Sequence, residues 1–345
     1  MKPLPDFDLP AGNREVRLRR RPQGVPLRTD FELAERPLEP LPAGRLRIRN
    51  LYLSVDPVQR GWAADPAATA IGATMPSLAV GIVIESRCDD FREGDIVYGR
   101  FGWQIYCDAA PADVFSRRRD PTLPLSLYAG VLGMPGVTAY LALADLAATR
   151  PGDLVLVSTA AGAVGSVVGQ LLRNAGARPI GIAGDDEKVR RCVSQFGYES
   201  AFNYKTALLA DAFAAAAPEG FSLYFDSVGG PILDLAIRHM ARFGRIIQCG
   251  TAATASWTPP PSGLRNEREI LMRRLSWTGF VIFDHLARFD AAVTALEAMV
   301  AGGTLRHDEE LLVGLAAAPG ALEHLFAGAN HGKLLIDITR ADSAP

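Results

Sequence analysis

The sequence predicts an α/β protein made of a partly barrel-like β domain and a doubly wound parallel-sheet domain inserted into it. Three observations predict this. Between Val16 and Ser126, short β-rich runs are broken by Pro and Gly clusters. From Asp153 onward, apolar strand-like runs alternate with helical stretches, the pattern of right-handed βαβ crossovers. Finally, Glu310–Thr339 reads as strand, helix, strand after the alternating series has ended, and is expected to return to the first domain. The expected division is residues 1–128 and 306–345 for the β domain, and 129–305 for the inserted one.

In the β domain, Arg45–Val55 (RLRIRNLYLSV), Ala79–Ser86 (AVGIVIES) and Asp95–Gly99 (DIVYG) are the clearest strands. The texture changes at Leu132–Leu146 (LGMPGVTAYLALADL), a helix entered through Pro135 and Gly136. The alternating series follows. Asp153–Thr159 is a strand, Val164–Ala175 a helix, Pro179–Ala183 a strand and Asp186–Phe196 a helix. Ala201–Asn203 is a short strand, Ala207–Ala216 a helix, Leu223–Phe225 a strand and Ile232–Arg242 a helix. Arg245–Cys249 and Trp277–Phe283 are the last strands, and the helix Phe289–Ala301 closes the series.

Composition excludes several classes of function. With 345 residues, 48% hydrophobic and 21% charged, the chain can bury a sizeable core. A net charge of −2 leaves no electrostatic footprint for nucleic acid or an anionic membrane. No stretch is apolar enough for a signal peptide or a membrane span, so the cytoplasm is the expected location. Cys88, Cys107, Cys192 and Cys249 form no CxxC pair, and none of the five histidines forms an HxxxH or HExxH pair, so no metal is expected. Nor is there a GxSxG nucleophile elbow.

The strongest motif lies between the first strand and first helix of the alternating series: Ala160-Ala161-Gly162-Ala163-Val164-Gly165. It is a GxGxxG fingerprint with Ala160 in place of the first glycine. Gly162 lets a pyrophosphate approach the backbone and Gly165 lets the helix pack closely on the sheet. Ala163 and Val164 open the helix, whose free N–H groups and partial positive charge favour an anion. Dinucleotide binding in a Rossmann domain follows from that strand–turn–helix context. The next strand ends at Ala183 followed by Gly184, with no acid to accept ribose hydroxyls, so there is room for the 2′-phosphate of NADPH. Asp185 and Asp186 read as the N-cap and first-turn acid of the following helix, and Lys188 is a phosphate partner. Only four of the 36 basic residues are lysines, so each surviving Lys hints that a compact ammonium was wanted.

In chain order, Leu51–Pro57 (LYLSVDP), Leu132–Tyr140 (LGMPGVTAY), Ala160–Gly169 (AAGAVGSVVG), Phe202–Thr206 (FNYKT), Tyr224–Gly230 (YFDSVGG) and Gly328–Lys333 (GANHGK) resemble the zinc-independent medium-chain dehydrogenase/reductases. The likeness is to leukotriene dehydrogenases, prostaglandin reductases and alkenal double-bond reductases, and it covers about Val25 to Thr339. The resemblance implies a GroES-like catalytic domain with an inserted Rossmann domain, NADPH as cofactor and a homodimer. It implies that Gly162 to Gly165 cradle the pyrophosphate and that Lys188 and Tyr204 hold the 2′-phosphate. Cys249 and the loop after it would border the nicotinamide, and Ser227, standing where the family usually has Asn, would also bind the cofactor. Phe280, Val281 and Ile282 would meet its carboxamide through backbone, and Asn330 would hydrogen-bond the cofactor. Asp185 departs from the family's usual Ser and brings a negative charge near the phosphate. Ala255 departs further, because the loop Cys249–Ser256 lacks the tyrosine that many relatives place over the substrate.

The implied reaction adds hydride to the C=C bond of an α,β-unsaturated carbonyl compound, a small-molecule enone or enal. Negative charge grows on the carbonyl oxygen, so the site needs a hydrogen-bond donor aimed there and must exclude water. With the loop tyrosine gone, Tyr52 is the candidate donor, the alternative being an aromatic in a strand with its hydroxyl bonded elsewhere. Trp62, Trp103, Trp257, Phe280 and Phe283 are available to line an apolar pocket, although core packing accounts for most aromatics. The competing readings are a quinone oxidoreductase with the same cofactor and a non-catalytic NADPH-binding protein. A zinc alcohol dehydrogenase is disfavoured because SVDP occupies the segment where those enzymes place a ligand cysteine.

Overall fold

The computed structural model describes residues 12–254, 256, 259 and 261–339. They form two compact units. The first comprises the described parts of Met1–Gly133, Phe289–Val293 and Glu309–Pro345, the second Met134–Arg288 and Thr294–Asp308.

The first unit opens with an antiparallel pair, β1 (Gly12–Leu18) and β2 (Phe31–Pro37). The strands β3 (Leu46–Ser54), β4 (Leu78–Ser86), β5 (Ile96–Arg100) and β7 (Val114–Arg118) then pair antiparallel in that order, and β6 (Tyr106–Ala109) pairs with β3. A one-turn-plus helix, α1 (Val58–Ala64), follows SVDP. Leu46, Ile48 and Leu53 of β3 are buried in one cluster with Val83, Val97 and Trp103, the inward phase changing across the register shift between Asn50 and Tyr52. Trp103 is fully buried in this core, with its indole N–H donating to the Ser54 carbonyl at 3.2 Å, so it lines no open site.

The second unit starts with α2 (Met134–Ala142). Its sheet contains β8 (Leu154–Val157), β9 (Arg178–Ala183), β10 (Ser200–Asn203), β11 (Phe221–Asp226), β12 (Met240–Gln248) and β13 (Ser276–Gly279). Between them run α3 (Gly165–Asn174), α4 (Asp186–Gln195), α5 (Leu209–Ala216), α6 (Gly230–Arg238) and α7 (Glu267–Arg273). All neighbours are parallel, in the order β10-β9-β8-β11-β12-β13. The chain winds outward from β8 to β10, then restarts on the other side at β11. The topological switch point therefore lies between β8 and β11, where crossovers leave in opposite directions. Buried runs such as LVLV and LYF suit strands covered on both faces.

Three expected elements are corrected. The helix expected to reach Arg242 stops at Arg238, because Met240 is fully buried and opens β12 opposite Phe221. The strand expected over Trp277–Phe283 ends at Gly279: Phe280 turns inward, its N–H bonded to the Gln248 carbonyl at 3.0 Å, and a short 3-10 stretch runs from Ile282 to Arg288. The helix expected over Leu132–Leu146 begins at Met134 and loosens to a π turn at Leu143–Ala147, ended by Ala148 at φ 42°.

After α8 (Phe289–Ala301) come β14 (Glu309–Val313), α9 (Ala318–Phe326) and β15 (Lys333–Asp337). β15 pairs antiparallel with β3 and parallel with β14, adding the last strands to the first unit's seven-stranded sheet. Among the described residues no helix is long and apolar enough to cross a membrane.

Close approach of α3 to the sheet is tested most sharply at Gly169. A Cβ there would lie 2.2 Å from the ring of Tyr198, which is fully buried and donates its hydroxyl to the Gly165 carbonyl at 2.6 Å. Gly169→Ala is therefore expected to overpack the contact and lower unfolding stability by about 1–3 kcal/mol. A urea midpoint equal to wild type would contradict this packing.

Candidate functional site

The turn from β8 to α3 is built by contacts that leave no space for side chains. Thr159 takes a left-handed conformation, φ 52°, unusual for a β-branched residue. The Gly162 N–H then donates to the Thr159 carbonyl at 2.8 Å. A Cβ at Gly165 would lie 2.3 Å from the Thr159 oxygen, so only glycine lets α3 start here. Ala160, in place of the first fingerprint glycine, is tolerated because the neighbouring strand yields: a Cβ at Gly181 would lie 2.8 Å from the Ala160 methyl. The half-buried Ala163 and Val164 have N–H groups with no acceptor among the described residues. Open N–H groups at a helix start, beside the switch point, fit the pyrophosphate of a dinucleotide.

The ends of β9 and β10 form a second cluster. The Tyr204 N–H donates to the Ala183 carbonyl at 3.1 Å, and its phenol lies against Gly184, where a Cβ would come within 3.3 Å of the ring. The Lys205 ammonium sits 5.9 Å from the centre of the same ring. Asp185 is the N-cap of α4, accepting the Lys188 N–H at 2.8 Å, and its other oxygen is 3.5 Å from the Lys188 ammonium. Desolvation opposes ionisation of Asp185, but the Lys188 amide and ammonium outweigh it and hold the carboxyl below its ordinary range. Asp186 turns to the Asn203 side-chain amide at 2.7 Å. Tyr204 thus packs on the uncharged Gly184 at the end of β9, and Lys188 is held one turn into α4 by Asp185.

The third cluster is organised by Asp226, a residue the sequence reading passed over. Fully buried at the end of β11, its Oδ1 accepts from the Ser158 hydroxyl at 2.8 Å, the Tyr224 hydroxyl at 2.9 Å and the Val228 N–H at 2.9 Å. Its Oδ2 accepts from the Gly229 N–H at 2.9 Å and the Gln248 side-chain amide at 2.8 Å. The Gln248 side-chain oxygen Oε1 accepts in turn from the Trp277 indole N–H at 3.2 Å. One chain of hydrogen bonds therefore crosses β8, β11, β12 and β13 at their carboxyl ends. Ser227 enters it by donating its N–H to the Ser158 hydroxyl at 2.8 Å, and the Cys249 N–H donates to the Asp226 carbonyl at 2.7 Å. Burial, reinforced by the Asp226 charge, pushes the Cys249 thiol up to about 12, so it is a neutral wall at neutral pH. Phe280 is buried with its ring stacked on His285 at 4.7 Å, Val281 is exposed and Ile282 is buried.

In the first unit, Tyr52 is half-buried on β3, opposite Val80 on β4 and Asp337 on β15. The Asn330 side-chain amide donates to the Gly332 carbonyl at 2.8 Å within its own loop. Lys333, missed as a structural residue, is 4% exposed and donates to the Val55 carbonyl at 2.7 Å and to Asp56 at 2.9 Å. Ala255 and Trp257 lie outside the described residues. Among the described residues no group of three or more His, Cys, Asp or Glu side chains is placed to hold a metal ion.

A doubly wound parallel sheet with open helix-terminal N–H groups at its switch point defines a dinucleotide-binding protein. Residues 14–116 match the family described as an N-terminal domain of oxidoreductases, and residues 163–300 one described as zinc-binding dehydrogenase. The chain is 33% identical to the NADP(+)-dependent 2-alkenal reductase of Nicotiana tabacum, over 96% of this chain and 98% of that one. It is 37% identical to prostaglandin reductase 1 of Bos taurus, over 91% of this chain and 95% of that one. Among solved structures, CurA from Vibrio vulnificus in complex with NADPH superposes with a TM-score of 0.85 at 30% identity, covering 96% of this chain and all of that one (100%). The chain belongs to the medium-chain dehydrogenase/reductase family, with the prostaglandin and alkenal reductases.

Asp226 holds five donors in place, and removing it leaves them buried without an acceptor. Asp226→Ala is expected to cost roughly 3 kcal/mol or more of stability, the scale of several unmade buried hydrogen bonds. Dinucleotide affinity should fall with it. A variant with an unchanged urea midpoint would show that the carboxylate does not organise this edge.

Proposed function

We propose that this chain is an NADPH-dependent reductase that adds hydride to the C=C bond of an α,β-unsaturated carbonyl compound without using a metal. The observation that carries the reading is the pairing of two features on one sheet edge. These are the open turn at Gly162–Gly165 and the uncharged Ala183–Gly184 corner flanked by Lys188 and Tyr204. The first takes a pyrophosphate and the second a 2′-phosphate. Likeness to a 2-alkenal reductase and a prostaglandin reductase over nearly the whole chain supports the substrate class.

When bound, NADPH supplies the hydride. In this reading the Ala163 and Val164 N–H groups hold the pyrophosphate, and Lys188 with Tyr204 holds the 2′-phosphate. Cys249 borders the nicotinamide, Phe280, Val281 and Ile282 meet its carboxamide through backbone, and Ser227 and Asn330 add contacts to the cofactor. The Cys249 thiol stays protonated and excludes water without competing as a nucleophile. Tyr52 donates a hydrogen bond to the substrate carbonyl oxygen as charge develops there. Asp56, in the segment where zinc enzymes place a ligand, is committed to the Lys333 ammonium and the Ser54 hydroxyl. β13 is an edge strand with Trp277 46% exposed, and exposed Val281 follows it, so a second copy pairing there would make a homodimer. The cytoplasm is the compartment this reading assigns.

The substrate class is tested by following NADPH oxidation with a panel of enones, enals and quinones. Enones and enals are expected to turn over faster than quinones, and a quinone-only activity would replace the reading. Tyr52→Phe is expected to lower enone turnover by roughly 10²–10³, about 2.7–4 kcal/mol, with NADPH affinity unchanged. Near-normal turnover would reduce Tyr52 to a wall. Activity is expected to survive exhaustive chelation, whereas loss on chelation with recovery on adding zinc would restore a metal mechanism. In sedimentation the chain is expected to run as a dimer, and a concentration-independent monomer mass would refute the pairing at β13.

A further inference from the structure

Asp185 occupies an unusual place in the Lys188–Tyr204 corner. It does not stand at the end of β9, where an acid accepts both ribose hydroxyls, but two residues later as the cap of α4. One carboxylate oxygen takes the Lys188 N–H at 2.8 Å and the other lies 3.5 Å from the Lys188 ammonium. The same carboxylate therefore both starts the helix and neutralises the cation that would receive a phosphate. Asp186 is turned away to Asn203, leaving Lys205, near the Tyr204 ring, as the second cation of the corner.

We propose that Asp185 is a specificity-determining residue that weakens the preference of this chain for the 2′-phosphorylated cofactor over NADH. The inference rests on the reading that Lys188 and Tyr204 meet the 2′-phosphate. A phosphate dianion arriving there must share Lys188 with a carboxylate and lie beside that negative charge. The cost falls on NADPH alone. The 2′-hydroxyl of NADH carries no charge, and the neutral Asp185–Lys188 pair neither attracts nor repels it. Alanine at 183 and glycine at 184 leave the corner open to either cofactor.

The test is a set of equilibrium titrations of wild type, Asp185→Asn, Asp185→Ser, Lys188→Ala and the Asp185→Asn/Lys188→Ala double variant. The ligands are NADPH, NADH, 2′,5′-ADP and 5′-AMP, with binding read by calorimetry. Asn and Ser both cap helices well, so α4 keeps its start in either single variant. Removing the carboxylate charge is expected to tighten NADPH and 2′,5′-ADP by about three- to fivefold, the upper size of one partly exposed charge pair. NADH and 5′-AMP should stay within about twofold of wild type, and the gain should be smaller in the Lys188→Ala background. Unchanged NADPH affinity in both Asp185 variants, alongside a loss in Lys188→Ala, would overturn this inference and leave the phosphate reading intact. Weaker NADH binding in both Asp185 variants would also overturn it, making Asp185 a ribose acceptor. Unchanged NADPH affinity in Lys188→Ala would overturn the placement of the phosphate, and this inference with it.

Discussion

The carboxylate of Asp226 is surrounded by five hydrogen-bond donors and none of its residue surface is exposed. Two of the donors are backbone amides of the loop that enters α6, two are hydroxyls from β11 and the end of β8, and one is the amide of Gln248 on β12. A buried carboxylate is stable only when its lone pairs are filled, and here the filling is done by the loops at the switch point. Those loops cannot drift independently, because each is tied to the same two oxygens. The Ser158 end fixes where the β8 turn begins, and therefore where the open N–H groups of α3 lie. The Gln248 end fixes Gly250, which accepts from the same amide at 2.6 Å, and through Trp277 reaches the edge strand.

Local chemistry in the sequence was enough to reveal the parallel sheet, but not what holds its edge. The buried runs LVLV, PIGIA and LYF read as strands because both faces are apolar, and Asp185 read as a cap because its partner is only three residues ahead. Helix ends were less legible. Nothing near Arg238 marks the stop, which is set by Met240 entering the core opposite Phe221. Ala160 stands in place of the first glycine of the fingerprint. Its compensation is Gly181, one strand away, a relation visible only once β8 and β9 are paired. Asp226 stands inside the motif YFDSVGG, beside Ser227. The missed signal was a carboxylate ending an otherwise apolar run, which must find donors if the strand is central.

The first unit shows the same dependence on a few satisfied polar groups. Lys333 is one of only four lysines, and its ammonium fits between the Val55 carbonyl and Asp56 with 4% of the residue exposed. An ammonium is a compact charge with three rotatable donors, smaller than the planar guanidinium fork, which suits a site this deeply buried. The contact ties β15 to the SVDP segment after β3, the strand that carries Tyr52. Nearby Glu309 is also desolvated, which raises its carboxyl above its ordinary range although Ser126 and Lys333 act the other way. In a chain otherwise rich in arginine, the retained lysine marks a place where size mattered as well as charge.

The account stands on hydride reaching carbon rather than on cofactor oxidation alone. The direct measurement is to supply NADPH deuterated at the transferring position with a simple cyclic enone and to locate the label in the product by mass spectrometry and NMR. One deuterium is expected on the carbon β to the carbonyl, with the carbonyl intact. Deuterium on the carbonyl carbon, giving an allylic alcohol, or NADPH oxidation that leaves no label in the enone product, would contradict it.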